Sequence, residues 1–166
     1  MNVLWSYFWP TFAAGLMIGG IAGSIAFHRR ARRNAALAAG FLAAILVAAL
    51  WHGPLGAADR LATQVERSAR QTLVHYEMTQ VTAHLHHGPL TRRIILSGPA
   101  DDFQSSELVQ IIGDLPGVSS AQWSSSPGGT PLIVEGAAVD LLGFLFGLLL
   151  AYLVELRRRY NAQWNW

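Results

Sequence analysis

The chain has 166 residues, of which 52% are hydrophobic and only 13% charged, with a formal net charge of +2 and a positive mean hydropathy. Soluble domains carry about 25% charged residues, so this composition excludes an ordinary soluble globular domain and favours a membrane protein. Cysteine and lysine are both absent: no disulfide framework or thiolate metal site is available, and the all-arginine basic usage beside abundant Ala and Gly is the pattern of a GC-rich bacterial genome.

The first apolar segment runs from about Trp5 to Phe27. Positive charge follows it rather than precedes it, which is the reverse of a secretory signal, so the expectation is an uncleaved helix with its N-terminus outside the cytoplasm. Trp5, Tyr7, Phe8 and Trp9 read as an interfacial anchor, with Pro10 in the first turns, where its missing donor costs least. Gly15, Gly19 and Gly23 recur every four residues and form a smooth strip that lets another backbone approach closely. The strip does not say whether that backbone belongs to this chain or to another.

Arg29, Arg30, Arg32 and Arg33 lie in a tight loop that makes the next apolar segment, about Ala35 to Trp51, an antiparallel neighbour. It is short for a spanning helix and places Gly40, Ala44 and Ala48 on one face, a composition suited to packing. Gly53 and Pro54 end it.

From Ala57 to Glu135 the chain changes character. Leu61, Val65, Ala69, Leu73 and Tyr76 repeat at helical spacing opposite Arg60, Gln64, Arg67 and Arg70, the pattern of an amphipathic helix. Val81, Ala83 and Leu85 then alternate with Thr82, His84 and His86, as in a half-buried strand, and His87, Gly88 and Pro89 form a turn. A second strand follows from Arg92 to Ser97 and closes on Gly98. Asp101 with Gln104 resembles a capping box, so a second helix is expected from about Asp101, with Leu108, Ile111, Ile112 and Leu115 on its inner face. Val118, Ala121 and Trp123 suggest a third strand, ahead of a Ser, Pro and Gly linker over 124–131. Leu132 to Val134 either adds a short strand or leads into the membrane.

The third apolar segment, about Ala137 to Leu156, carries Gly143 and Gly147 and ends at Arg157, Arg158 and Arg159. Asp140 is the single acid within it, a candidate intramembrane polar contact placed about one turn from the outer end, where the helix dipole and headgroup water favour a carboxylate. An aromatic tail, Tyr160 to Trp166, follows.

Seven of the twelve basic residues therefore sit in two clusters at the ends of apolar segments. Short arginine-rich loops stay cytoplasmic, so the expected topology in a bacterial inner membrane has the N-terminus and residues 57–135 periplasmic and the C-terminus cytoplasmic. Residues 55–136 hold five arginines against eight acids, which argues against a nucleic-acid partner. The predicted organisation is a helical hairpin over 1–56, an α/β domain over 57–135, and a last helix with its tail over 136–166.

The order helix, strand, strand, helix, strand, together with Ile94, Leu96 and Gly98, then Leu108 and Ile111, then Pro116, Gly117 and Val118, resembles the BON domain family over about residues 60–124. That resemblance implies a small α-β-β-α-β fold, turns at Gly98, Pro116 and Gly117, a periplasmic or membrane-bound setting, and contact with phospholipid or other envelope components.

The chemistry on offer is sparse. On a regular strand His84 and His86 would share a face about 7 Å apart, but no third ligand is near in sequence, so no metal is expected. His84, His86, His87, Arg92 and Arg93 read instead as a polar hairpin end suited to anionic headgroups or a partner's acids. No phosphate loop, dinucleotide fingerprint, nucleophile elbow or carboxylate pair appears, so neither a catalytic role nor a cofactor is expected. The sequence points to a non-enzymatic accessory or assembly subunit of a membrane complex, whose partners are the bilayer and other membrane subunits. The alternative is a membrane-anchored binding module for phospholipid or envelope material.

Overall fold

The computed structural model describes residues 3–123 and 129–163. In chain order these form α1 (Val3–His28), α2 (Arg33–His52), α3 (Ala57–His75), β1 (Thr82–His87), β2 (Leu90–Ser97), α4 (Asp102–Gly113), β3 (Ser120–Gln122) and α5 (Leu132–Gln163), with a 3₁₀ turn at Arg30–Arg32 joining α1 to α2. They make two compact units: a helical unit of Phe8–Leu55 with residues from Gly136 onward, and an α/β unit of Gly56–Glu135 with the residues up to Tyr7.

In the helical unit, α1, α2 and α5 are each long and apolar enough to cross a membrane. Small residues turn inward. The buried centre is Ala22, Ala44 and Phe144, with Ile18 and Leu148 against it, and α2 buries Gly40, Ala44 and Ala48 along one line. Bulky side chains such as Phe41, Leu42, Ile45, Leu46, Leu145 and Leu149 face outward. That is the reverse of a soluble core and suits a hydrocarbon solvent, in which association is driven by close packing rather than by exclusion of apolar groups from water.

Two helix boundaries differ from the sequence reading. Because α1 begins at Val3, Pro10 falls inside the helix, beyond its first turn, where it cannot donate to the carbonyl four residues earlier. The last helix begins at Leu132, so Leu132 to Val134 are helical rather than extended. The Pro131 carbonyl accepts from Val134 N–H at 3.0 Å and Glu135 N–H at 3.3 Å, which starts the turn. At 32 residues, α5 is about 48 Å long, well beyond a ~30 Å hydrocarbon core.

In the α/β unit, α3 buries Leu61, Val65, Ala69 and Leu73, while Tyr76 is exposed. The sheet has the order β1-β2-β3. β1 and β2 form an antiparallel hairpin in which Ala83 faces Leu96 and Leu85 faces Ile94. β3 lies parallel to β2, with Ile94 opposite Ala121; α4 connects them, as a parallel pair requires a crossover. One sheet face therefore carries Ala83, Leu85, Ile94, Leu96 and Ala121, and Ile94 and Leu96 are completely buried together with Val65, Ile112 and Leu132.

The start of α4 is set locally. The Asp101 carboxylate accepts from Gln104 N–H at 2.7 Å, and the Gln104 side chain accepts from Asp101 N–H at 3.2 Å, a complete capping box. Two glycines hold turns that a side chain would strain. Gly98 has φ +142° with Gln80 O 2.6 Å from where a Cβ would stand, and Gly117 has φ +101° with the Val65 side chain at 2.8 Å. After the Pro116–Gly117 turn, pairing with β2 covers only Ser120–Gln122, so Val118 and Trp123 lie outside β3. Val3 and Tyr7 are buried residues of this unit's N-terminal segment. Tyr7 is thus part of a packed unit rather than an exposed anchor, unlike Trp5 and Trp9, which are more than half exposed.

Candidate functional site

Two places concentrate the residues singled out from the sequence: the hairpin end of the α/β unit and the seam between α1 and α5. At the hairpin, Glu66 on α3 is the organising group. Its carboxylate accepts from Leu85 N–H at 2.9 Å and lies 3.2 Å from His87 Nε2. His86 Nδ1 is 3.1 Å from the Pro89 carbonyl oxygen, and His84 pairs across the hairpin with Ile95. The register is irregular between Leu85 and His87, which breaks the alternation that would have put His84 and His86 on one face. Among the described residues no three His, Asp or Glu side chains gather as a metal site.

Arg92 and Arg93 do not join the histidines. Consecutive residues of a strand point to opposite faces. Arg92 makes a two-pronged pair with Glu135, Nε to Oε2 at 2.7 Å and the second nitrogen to Oε1 at 3.3 Å, with both side chains about one-fifth exposed. Arg93 is buried, at 7% exposure. The hairpin end therefore presents imidazoles and Glu66, and the two arginines are built into the fold.

Along the helical seam, the glycines of α1 meet those of α5. A Cβ on Gly15 would overlap the Asp140 carbonyl oxygen, and one on Gly19 that of Phe144. Reciprocally, Gly143 faces the Phe12 carbonyl and Gly147 that of Leu16. Further along, Gly23 meets Ala151, and Gly40 of α2 meets Ala22, with Cβ separations that would be 2.7 and 2.6 Å. The backbones are in direct contact, the arrangement that small residues at four-residue spacing permit, with Cα–H groups against carbonyl oxygens. Gly20, beside the strip, faces open space. Phe12 extends the seam by an edge contact with Phe146, their ring centroids 6.1 Å apart.

Asp140 sits on this seam and is fully buried. It is the ninth residue of α5, since that helix starts at Leu132, so it is too deep to cap the helix or to draw on the dipole of the first turn. This corrects the expected position one turn from the end. Neither carboxyl oxygen has a hydrogen-bond partner among the described residues; Oδ1 lies 2.9 Å from where a Cβ on Gly15 would stand.

Glu66 and Glu135 were not found from the sequence. Each is separated from its partner by a long stretch of chain, and an acid on a helix flank carries no signal of the strand it will reach. Trp164 and Trp166 of the aromatic tail, and Ser124 to Pro127 of the linker, lie outside the described residues. No protein-family model matches the chain, and no curated protein or solved structure matches it significantly.

Proposed function

We propose that this chain is a non-enzymatic accessory or assembly subunit of a bacterial inner-membrane complex, anchored by its three apolar helices and presenting a BON-like α/β domain on the periplasmic side. The observation that carries this reading is the packing of α2. Only 17% of its most apolar window is buried by the chain itself, against 33% for α1 and 22% for α5. Gly40, Ala44 and Ala48 make its single seam, while Phe41, Leu42, Ile45 and Leu46 point away from the bundle. In a bilayer such a helix gains stability from a second packing partner, because packing rather than apolar burial holds membrane helices together. The glycine strips of α1 and α5 are already occupied by each other, so the docking face falls on the bulky side of α2 and on the α/β domain.

Affinity purification of the tagged full-length chain in mild detergent, with mass spectrometry and sizing, tests the reading. The expected result is one or more integral membrane proteins in fixed stoichiometry, lost on Phe41→Ala with Ile45→Ala while the helical content of the chain is kept. A chain that runs alone as a small monomer in every mild detergent defeats the proposal.

A further inference from the structure

At the arginine-rich end of the helical unit, α1, α2 and α5 border a cleft of about 410 Å³. Its walls include Phe27, Arg33, Tyr152, Glu155, Leu156 and Arg159. The apolar wall is ordered: the rings of Phe27 and Tyr152 meet edge to face, with centroids 5.6 Å apart. Arg159 is held in place by its Nε, 3.0 Å from Glu155 Oε1, and by a terminal nitrogen 3.4 Å from the Phe27 carbonyl oxygen. Arg33 has no ion-pair partner among the described residues.

Charge at this end is unbalanced. Arg29, Arg32, Arg157 and Arg158 flank the cleft walls along the chain, and the helical unit has only two acids, Asp140 on the buried seam and Glu155, which is paired with Arg159. The start of α2 adds to the imbalance. It begins at Arg33 with no side-chain cap and no acid in its first turn, so no carboxylate there offsets the positive end of the helix dipole. A guanidinium fork matches phosphate oxygens in pairs, and basic pockets between membrane helices take phospholipid headgroups.

We propose that this cleft is a phosphate-binding site, with Arg33 and Arg159 as its cationic ligands. The aromatic and leucine wall beside the two guanidinium groups suits a phosphate carried on a lipid, whose head would meet the arginines while its glycerol and first methylenes lie on Phe27 and Leu156. The proposal does not depend on the accessory-subunit reading.

The test uses the full-length chain in mild detergent, titrated with phosphatidylglycerol or phosphatidylcholine and read by native mass spectrometry. Retention of phosphatidylglycerol over phosphatidylcholine is expected, and Arg33→Gln with Arg159→Gln should weaken it about 30-fold, at roughly one surface-arginine increment per residue. Arg157→Gln with Arg158→Gln removes the same charge from residues that do not line the cleft and should change retention less than the first pair does. If the first pair loses helicity, the single Arg33→Gln, which breaks no ion pair of the described chain, carries the test at about fivefold. Equal losses from both pairs, or no preference for the anionic lipid together with no binding of inorganic phosphate, overturn the proposal. Inorganic phosphate added at millimolar concentration separates the sources. Displacement of the lipid through Arg33 and Arg159 assigns the site to a soluble phosphoester, and retention of the lipid assigns it to a headgroup; either result supports a phosphate site.

Discussion

Gly15, Gly19, Gly143 and Gly147 act through what they lack. Each lets a carbonyl of the facing helix come to the place where a Cβ would be, so Gly19→Leu should force α1 and α5 apart at a cost of about 1–3 kcal/mol. Gly20→Leu is the matched control, because its Cβ position meets nothing within 4 Å. Thermal unfolding in detergent should separate the two by several degrees, and equal behaviour would mean that the seam does not hold the unit together. Asp140 makes the opposite kind of prediction. Burying an unpaired carboxyl is costly, so Asp140→Asn, which keeps the shape and removes the ionisable proton, should leave the unfolding midpoint unchanged or raise it. A marked loss of stability would reveal a partner for the carboxylate. The four-residue glycine spacing was legible in the sequence because it follows from helix geometry alone. That Asp140 faces Gly15 was not, because facing depends on the rotation of two helices far apart in the chain.

The elements divide by how local their causes are. The capping box at Asp101 and Gln104 lies within one turn, and the helix expected from about Asp101 is α4 at Asp102–Gly113. Asp101→Ala should cost about 1 kcal/mol, measurable as a lower unfolding midpoint in denaturant, whereas Asp102→Asn, one position inside the helix, should cost less. An Asp101→Ala protein as stable as the parent would show that tertiary contacts alone set this boundary. The amphipathic period likewise placed α3 closely. The strands were harder: β3 is only Ser120–Gln122, because its extent is set by parallel pairing with β2 rather than by its own alternation. At the end of β1, the pairing register with β2 breaks after Leu85 and passes over His86, a break that no alternating pattern of residue types announces. Pro10 within α1 and the early start of α5 are further boundary effects of the same kind.

At the scale of the whole molecule, two arginine clusters and three apolar helices motivate the proposed topology. A reporter active only outside the cytoplasm should be active when fused after Gly129 and inactive at the C-terminus, with a cytoplasmic reporter giving the inverse pattern; the opposite result would reverse the orientation. Reversal would also bring the α/β unit into the cytoplasm and remove the periplasmic setting on which the proposed function rests. The phosphate site would survive it, because both leaflets carry phosphate headgroups.

Composition and period alone pointed to three long apolar helices and to strands enough for a small sheet, both of which the structure has, because hydrophobic length and helical or alternating spacing are properties of neighbouring residues. The partners of the distinctive side chains came only with the tertiary structure. Glycine strips that could have served any neighbour are closed on each other, Arg92 is committed to Glu135, Arg93 is buried, and Arg33 and Arg159 meet at one cleft. Each of these joins residues distant in sequence, and the pairing is decided by which faces pack.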